Sequence, residues 1–221
     1  MNLEEPGSRV DSFSTKLELV RERIRSTGRE PETVRIVAVT KGFGPHAVME
    51  ALDAGLLDIG ENYVQEMMSK ADQVRIPACW HYLGVIQRKR VREMAQVVGC
   101  WETVSRLVEG ESIADASPGA SVMVQINTTG IPSRNGCEEI AVAGLVAGLR
   151  AMDLNVTGLM AIGPLGAPEL TRYTFSKIVG LAEDLGLTEL SIGMSADLEI
   201  AVEEGATMVR IGRALFGDRP R

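Results

Sequence analysis

"ATMVRIG", residues 206–212, is an apolar, β-branched run that stops at a glycine, and it reads as a strand. Its rank in the chain decides the fold. Seven earlier runs share its character, and each is followed by a helical pattern. "VRIVAVTK" (34–41) precedes a helix at 44–55, with Pro in its first turn and Gly at its end. "LLDIGEN" (56–62) precedes one at 63–73, "CWHYLG" (79–84) one at 87–98, and "CWETV" (100–104) one at 105–115. "SVMVQINTTG" (121–130), "NVTGLMAIG" (155–163) and "ELSIGMS" (189–195) precede helices at 138–152, 168–185 and 196–204. Strict alternation of β and α implies a parallel sheet with crossover helices. The strand at 206–212 is the eighth, the number that closes a (β/α)8 TIM barrel, and 221 residues approach the roughly 250 typical of one. The rival, an open doubly wound sheet, would show G-x-G-x-x-G in its first turn, and "KGFGPH" is not that motif. A helix from about Val10 to Ser26, with Leu17, Val20 and Ile24 at helical spacing, stands before the first strand. It is expected to cover one barrel end. Residues 1–221 are expected to form one α/β barrel domain with no second domain.

Composition narrows the class. Hydrophobic residues make up 45%, enough for a sizeable core. The formal charge of −7 argues against a general nucleic-acid or anionic-membrane binder. No apolar run reaches the roughly 18 residues that span a bilayer, and the charged start "MNLEEPGSRVDSFSTKLELVRERIRSTG" lacks a signal peptide's apolar core. Cys79, Cys100 and Cys137 show neither metal nor disulfide spacing, which suits buried free thiols in a reducing cytoplasm.

In such a barrel, chemistry sits at the C-terminal ends of the strands. There stand Lys41, Glu61 and Asn62, His81, Asn127 and Thr128, Met160, the run Gly193-Met194-Ser195, and Arg210 with Gly212. Lys41 taken alone is a solvated strand-end lysine or a Schiff-base lysine, whose amine a neighbouring cation such as Arg210 would keep neutral. Arg210 lies between Val209 and Ile211, and its guanidinium requires an acceptor or an anion. "GMSAD" (193–197) and "IGRALFG" (211–217) offer amides, a hydroxyl and helix starts of the kind that bind phosphate, although Ser195 could instead cap the helix at 196–204. His81 alone reads as a satisfied core histidine, and Met160 as barrel filling. "TTGIPSRNG" (128–136) reads as a long polar loop. Arg88, Lys89, Arg90 and Arg92 read first as a solvated helix face and second as a contact for an anionic partner.

The strings "VAVTK" (37–41), "GENYVQE" (60–66), "WHYLG" with "IQ" (80–87), "VQINT" (124–128), "GLMAIG" (158–163) and "GMSADLEIAVEEGATMVRIGRALFG" (193–217) follow one family's order and spacing over nearly the whole chain. By these the chain resembles the YggS/PROSC family of pyridoxal phosphate homeostasis proteins, which is similar to the barrel domain of alanine racemase. The resemblance implies that Lys41 carries an internal aldimine with pyridoxal 5'-phosphate. It implies that Ser195, Gly212 and the amides around Gly193, Met194 and Arg213 hold the phosphate. Asn62 and His81 would lie near the ring, and Arg210 would meet the pyridine nitrogen. Departures are Thr40, where the family often has serine, "IQRKR" (86–90) in place of "LQ-x-N-K", and "LEIAV" (198–202) in place of "F-E-A-A-I".

The resemblance implies a cytoplasmic carrier and buffer of the cofactor that hands it to apo-enzymes and has no strong catalysis of its own. An arginine cannot give the ring nitrogen a proton, which weakens the ring as an electron sink. Tyr63, Tyr82 and Tyr173 sit outside the context of the racemases' tyrosine base. A barrel-only amino-acid racemase is the alternative, and a cofactor-free Schiff-base aldolase on Lys41 a third. A monomer is expected, since the barrel needs no partner to complete its site.

Overall fold

The computed structural model describes residues 12–219 except Arg75, Pro132 and Leu165. Its strands are β1 (Arg35–Val39), β2 (Asp58–Glu61), β3 (Cys79–Tyr82), β4 (Val98–Val104), β5 (Ser121–Ile126), β6 (Asn155–Ala161), β7 (Glu189–Ser191) and β8 (Met208–Ile211). They form a closed barrel in chain order, every pair parallel. Closure is made by β8 on β1, where Val37 stands opposite Arg210 and Ala38 opposite Ile211. The helices are α1 (Phe13–Arg25), α2 (Pro45–Asp53), α3 (Val64–Gln73), α4 (Val91–Met94), α5 (Leu107–Ala116), α6 (Val142–Ala151), α7 (Pro168–Asp184), α8 (Leu198–Glu203) and α9 (Arg213–Phe216).

Side chains alternate across a strand, and the core divides accordingly. Ile36, Ala38, Val209 and Ile211 belong to a large shell between strands and helices that includes Trp101 and Phe175. Val37, Cys100, Met123, Met160 and Met208 form a small separate cluster inside the barrel. Arg210 and Gly212 share the parity of Met208, so strand geometry turns Arg210 inward.

Several elements differ from the sequence expectation. The helix at 87–98 shrinks to a 3-10 turn, Arg88–Arg90, and α4. The β-branched Val98 pairs with Trp80 instead, which starts β4 two residues early. The strand at 121–130 ends at Ile126, because Asn127 Oδ1 accepts from Thr129 N–H and its Nδ2 donates to Ile131 O, closing a turn. The strand at 189–195 ends at Ser191. Gly193 then turns the chain with φ +92, where a Cβ would stand 2.5 Å from that of Ala201.

The first helix is the larger correction. Val10 and Asp11 lie outside the described residues, and from Ser12 onward α1 does not cover a barrel end. It packs against α8 and α9 in the outer ring. Phe13 meets Phe216, just after β8, with ring centroids 5.4 Å apart. Arg29, beyond the other end of α1, donates to Ala206 O, just before β8. The helix therefore runs alongside β8 and fills the place that one-turn α9 is too short to cover. Leu17, Val20 and Ile24 are its buried face. Ile24→Ala should cost about 2–5 kcal/mol, as for a core position, measured by urea denaturation. A loss within about 0.5 kcal/mol, the range of surface changes, would mean that α1 is no part of the barrel wall.

Candidate cofactor-binding site

The C-terminal ends of β1, β2, β7 and β8 bring Lys41, Asn62, the turn 193–195, Arg210 and Gly212 to one mouth. Lys41 follows β1 by two residues and is partly buried. Its pKa lies below the usual lysine value. Burial is the main cause, Arg219 and Arg210 add to it, and Glu61 opposes it. The nearest strand-end carboxylate is engaged elsewhere: Glu61, wholly buried, accepts from Lys70 Nζ at 2.6 Å. Lys70 also donates to Thr40 O at 2.9 Å and to Glu66 Oε2 at 3.1 Å. Glu61 Oε1 takes the Asn62 amide at 2.8 Å, which fixes the end of β2. Asn62 Nδ2 donates to Leu83 O at 3.2 Å, while its buried Oδ1 has no partner among the described residues.

Arg210 is buried and its Nη1 donates to Ser191 O at 2.5 Å and Ser191 Oγ at 2.8 Å. Its Nη2 donates to Ala161 O at 2.8 Å. A guanidinium has five N–H groups, so donors remain for a ligand at the mouth. Ser191 Oγ in turn donates to Glu102 Oε2 at 2.6 Å. Glu102 Oε1 lies 2.6 Å from His81 Nδ1, and Asp58 Oδ1 lies 2.8 Å from His81 Nε2. Burial pulls the His81 pKa down, but Asp58, Cys100, Cys79 and Glu102 outweigh it and hold the imidazole protonated. Burial pushes the Glu102 carboxyl up, and His81, Arg210 and Ser191 overcome that to bring it below the usual range. The structure thus engages both ring nitrogens of His81 within the barrel. Met160 is packed in the interior cluster, register partner of Gln125 and Ser191.

Ser195 does not cap the helix that follows it. The N-cap of α8 is Asp197, whose Oδ1 accepts from Met194 N–H at 2.6 Å and closes the turn. Ser195 Oγ instead accepts from Ala214 N–H at 3.3 Å, which joins the turn after β7 to the first turn of α9. Gly212 sits between them, and a Cβ there would come 3.2 Å from Val39 O. Arg213 is exposed, 3.9 Å from Asp218. Arg219 packs over Gly42, beside Lys41. Lys70, Glu102, Ser191 and Arg219 escaped the sequence reading. For Lys70 a signal existed, a lysine on the stripe of Val64 and Met67 that α3 buries.

The residues at the mouth suit a small phosphorylated aldehyde. An amine with no hydrogen-bond partner among the described residues, an orphaned amide oxygen, unspent guanidinium donors and a glycine with little room for a side chain lie around one opening. Residues 11–220 match the family described as alanine racemase, N-terminal domain. The chain is 39% identical over 209 residues to the pyridoxal phosphate homeostasis protein of Pseudomonas aeruginosa, covering 90% of this chain and 91% of that one. It is similar to the structure of PipY of Synechococcus elongatus PCC7942 with PLP bound, with a TM-score of 0.79 and 29% identity over 90% of this chain and 100% of that chain. Its likeness to an alanine racemase of Clostridium difficile, TM-score 0.74 at 15% identity, covers 93% of this chain and 57% of the racemase and concerns the fold alone.

A lowered pKa puts the free amine of Lys41 within reach at lower pH than in an ordinary exposed lysine. Competitive amine labelling read by mass spectrometry should show that shift in the ligand-free protein. Arg219→Ala removes a cation and should move the Lys41 profile back to higher pH. A profile that the substitution leaves in place would remove Arg219 from the account.

Proposed function

Since this chain belongs to the family of the pyridoxal phosphate homeostasis proteins, within the wider alanine racemase N-terminal domain family, we propose that it binds pyridoxal 5'-phosphate at the C-terminal mouth of its barrel and serves as a carrier and buffer of that cofactor. The observation that carries this reading is the pairing of Lys41, an amine with a lowered pKa, with the inward guanidinium of Arg210 at one mouth.

The bound cofactor supplies an aldehyde that condenses with amines and a ring that withdraws electrons. Lys41 would hold the aldehyde carbon through Nζ, and Asn62 Oδ1 would face the ring or the lysine. Ser195, Gly212 and the amides around Gly193, Met194 and Arg213 would hold the phosphate, with Arg213 and Arg219 adding positive charge. His81, both of whose nitrogens are engaged, and Met160 would form the wall beneath the ring. Arg210 would donate to the ring nitrogen. Burial lowers its pKa and Glu102 and Asp197 oppose that, but a guanidinium stays charged and gives up no proton. The ring nitrogen would then stay unprotonated, which would disfavour carbanion chemistry.

The tyrosines support a carrier over a racemase. The Tyr82 hydroxyl donates to Val85 O, and burial pushes its pKa up to about 12. Tyr173 lies on α7, under Lys177. Tyr63 is exposed just after Asn62. Among the described residues no helix is long and apolar enough to cross a membrane. Three free thiols suit a reducing cytoplasm, where we place the protein as a monomer that passes its cofactor to apo-enzymes.

Borohydride treatment of the protein loaded with pyridoxal phosphate should fix the cofactor to the peptide containing Lys41, and Lys41→Ala should lose both the visible absorption and the adduct. A wild-type protein that takes up no cofactor would overturn the reading and favour an aldolase. Incubation with an amino-acid panel in deuterated water separates carrier from racemase. Slow α-exchange is expected, and rapid exchange would establish the racemase.

A further inference from the structure

The barrel end opposite the mouth carries a second group of chemistry-bearing side chains. Asp58 opens β2 and Cys79 opens β3, and the two are register partners. His81 follows Cys79 by two residues, so both side chains leave the strand on one face. That face is the interior, where His81 lies buried between Asp58 and Glu102. The carboxylate, thiol and imidazole atoms of Asp58, Cys79 and His81 all lie within 4.8 Å of one another. We propose that these three residues form a site for a zinc-class divalent cation that clips β2 to β3 at the N-terminal end of the barrel.

The donor set is one oxygen, one sulfur and one nitrogen, the mixture that zinc accepts in tetrahedral sites. Tetrahedral ligand atoms around zinc stand about 3.4–3.7 Å apart, so small side-chain shifts suffice. Nε2 and Asp58 Oδ1, now 2.8 Å apart, would open slightly to admit the ion. The imidazole is already oriented for this. Metal-bound histidines usually present their other ring N–H to a carboxylate, and His81 Nδ1 lies 2.6 Å from wholly buried Glu102. That bond aims Nε2 away from the interior toward Asp58 and Cys79. Cys79 is exposed and the Asp58 side chain keeps 21% of its surface, which leaves an entry path. Cys100 is the register partner of His81 and borders the site, and water would complete the fourth position of the proposed tetrahedron. Binding displaces the proton on Nε2 and the thiol proton of Cys79 into solvent, with no change of oxidation state.

The site shares His81 with the wall beneath the proposed cofactor ring, but its other two ligands lie at the opposite end of the barrel, and the metal readout does not involve the cofactor, so the two proposals can fail separately. The purified protein, stripped with a chelator and kept reduced, is titrated with Co2+. One equivalent should bind with the near-ultraviolet charge-transfer absorption of a thiolate–cobalt bond, and Zn2+ should displace it. Cys79→Ser, at an exposed position that the fold tolerates, should abolish the absorption, whereas Cys137→Ser should leave it intact. Glu102→Gln should weaken binding about 10–100-fold. Failure to bind one equivalent, or absorption that survives Cys79→Ser or disappears in Cys100→Ser alone, would overturn the assignment.

Discussion

Arg210 is a charge that cannot be given up, held inside a closed barrel, and the interior is organised around it. An uncompensated buried ion costs several kcal/mol. The structure compensates with a column of alternating charge. Arg210 bonds Ser191, Ser191 bonds Glu102, Glu102 bonds protonated His81, and His81 bonds Asp58. Positive and negative groups follow one another, so the column is formally neutral. Its upper end stands at the mouth and its lower end meets solvent at Asp58. The apolar interior cluster of Val37, Cys100, Met123, Met160 and Met208 fills only the space around it.

The mouth depends on a similar act of neutralisation beside it. A free carboxylate at the end of β2 would pair with Lys41 and keep its amine protonated. Lys70, rooted in α3, takes that carboxylate and adds Thr40 O and Glu66. One lysine is thereby spent to keep another unpaired. The same contact pins the segment that carries Lys41, since Thr40 is the residue before it.

Much of this was legible in the chain. Alternation of strands and helices fixes a barrel because parallel strands need crossovers, and eight of them close. Arg210 and Lys41 announced themselves as charges attached to apolar runs. The rest was hidden for local reasons. Register shifts against both neighbours place an extra residue in β4, at Gly99 and again between Trp101 and Val104, and interrupt its two-residue alternation. Counting along "CWETV" therefore cannot say whether Trp101 or Glu102 faces the interior. Ser195 had the composition of a cap, but Asp197 two residues later is where the helical turn begins. The role of α1 was invisible because nothing local shows that α9 is a single turn, and only that brevity leaves a groove along β8.

The two halves of the core answer to different demands. Replacing a buried ion pair with well-packed apolar groups is often neutral or stabilising, whereas removing one partner is costly. A barrel selected for stability alone would therefore fill its interior with branched aliphatic side chains, as barrels commonly do. Here the stabilising burial is carried by the outer shell, where Trp101, Phe175, Ile24 and their neighbours are closed off from solvent. The inner column contributes position. With Ser191 and Ala161 holding one edge of the guanidinium, Arg210 can present its remaining donors to the mouth in one orientation, without paying to reorganise when a ligand arrives. The cost of a polar interior is thus the cost of a fixed cation, and the outer shell is what makes it bearable.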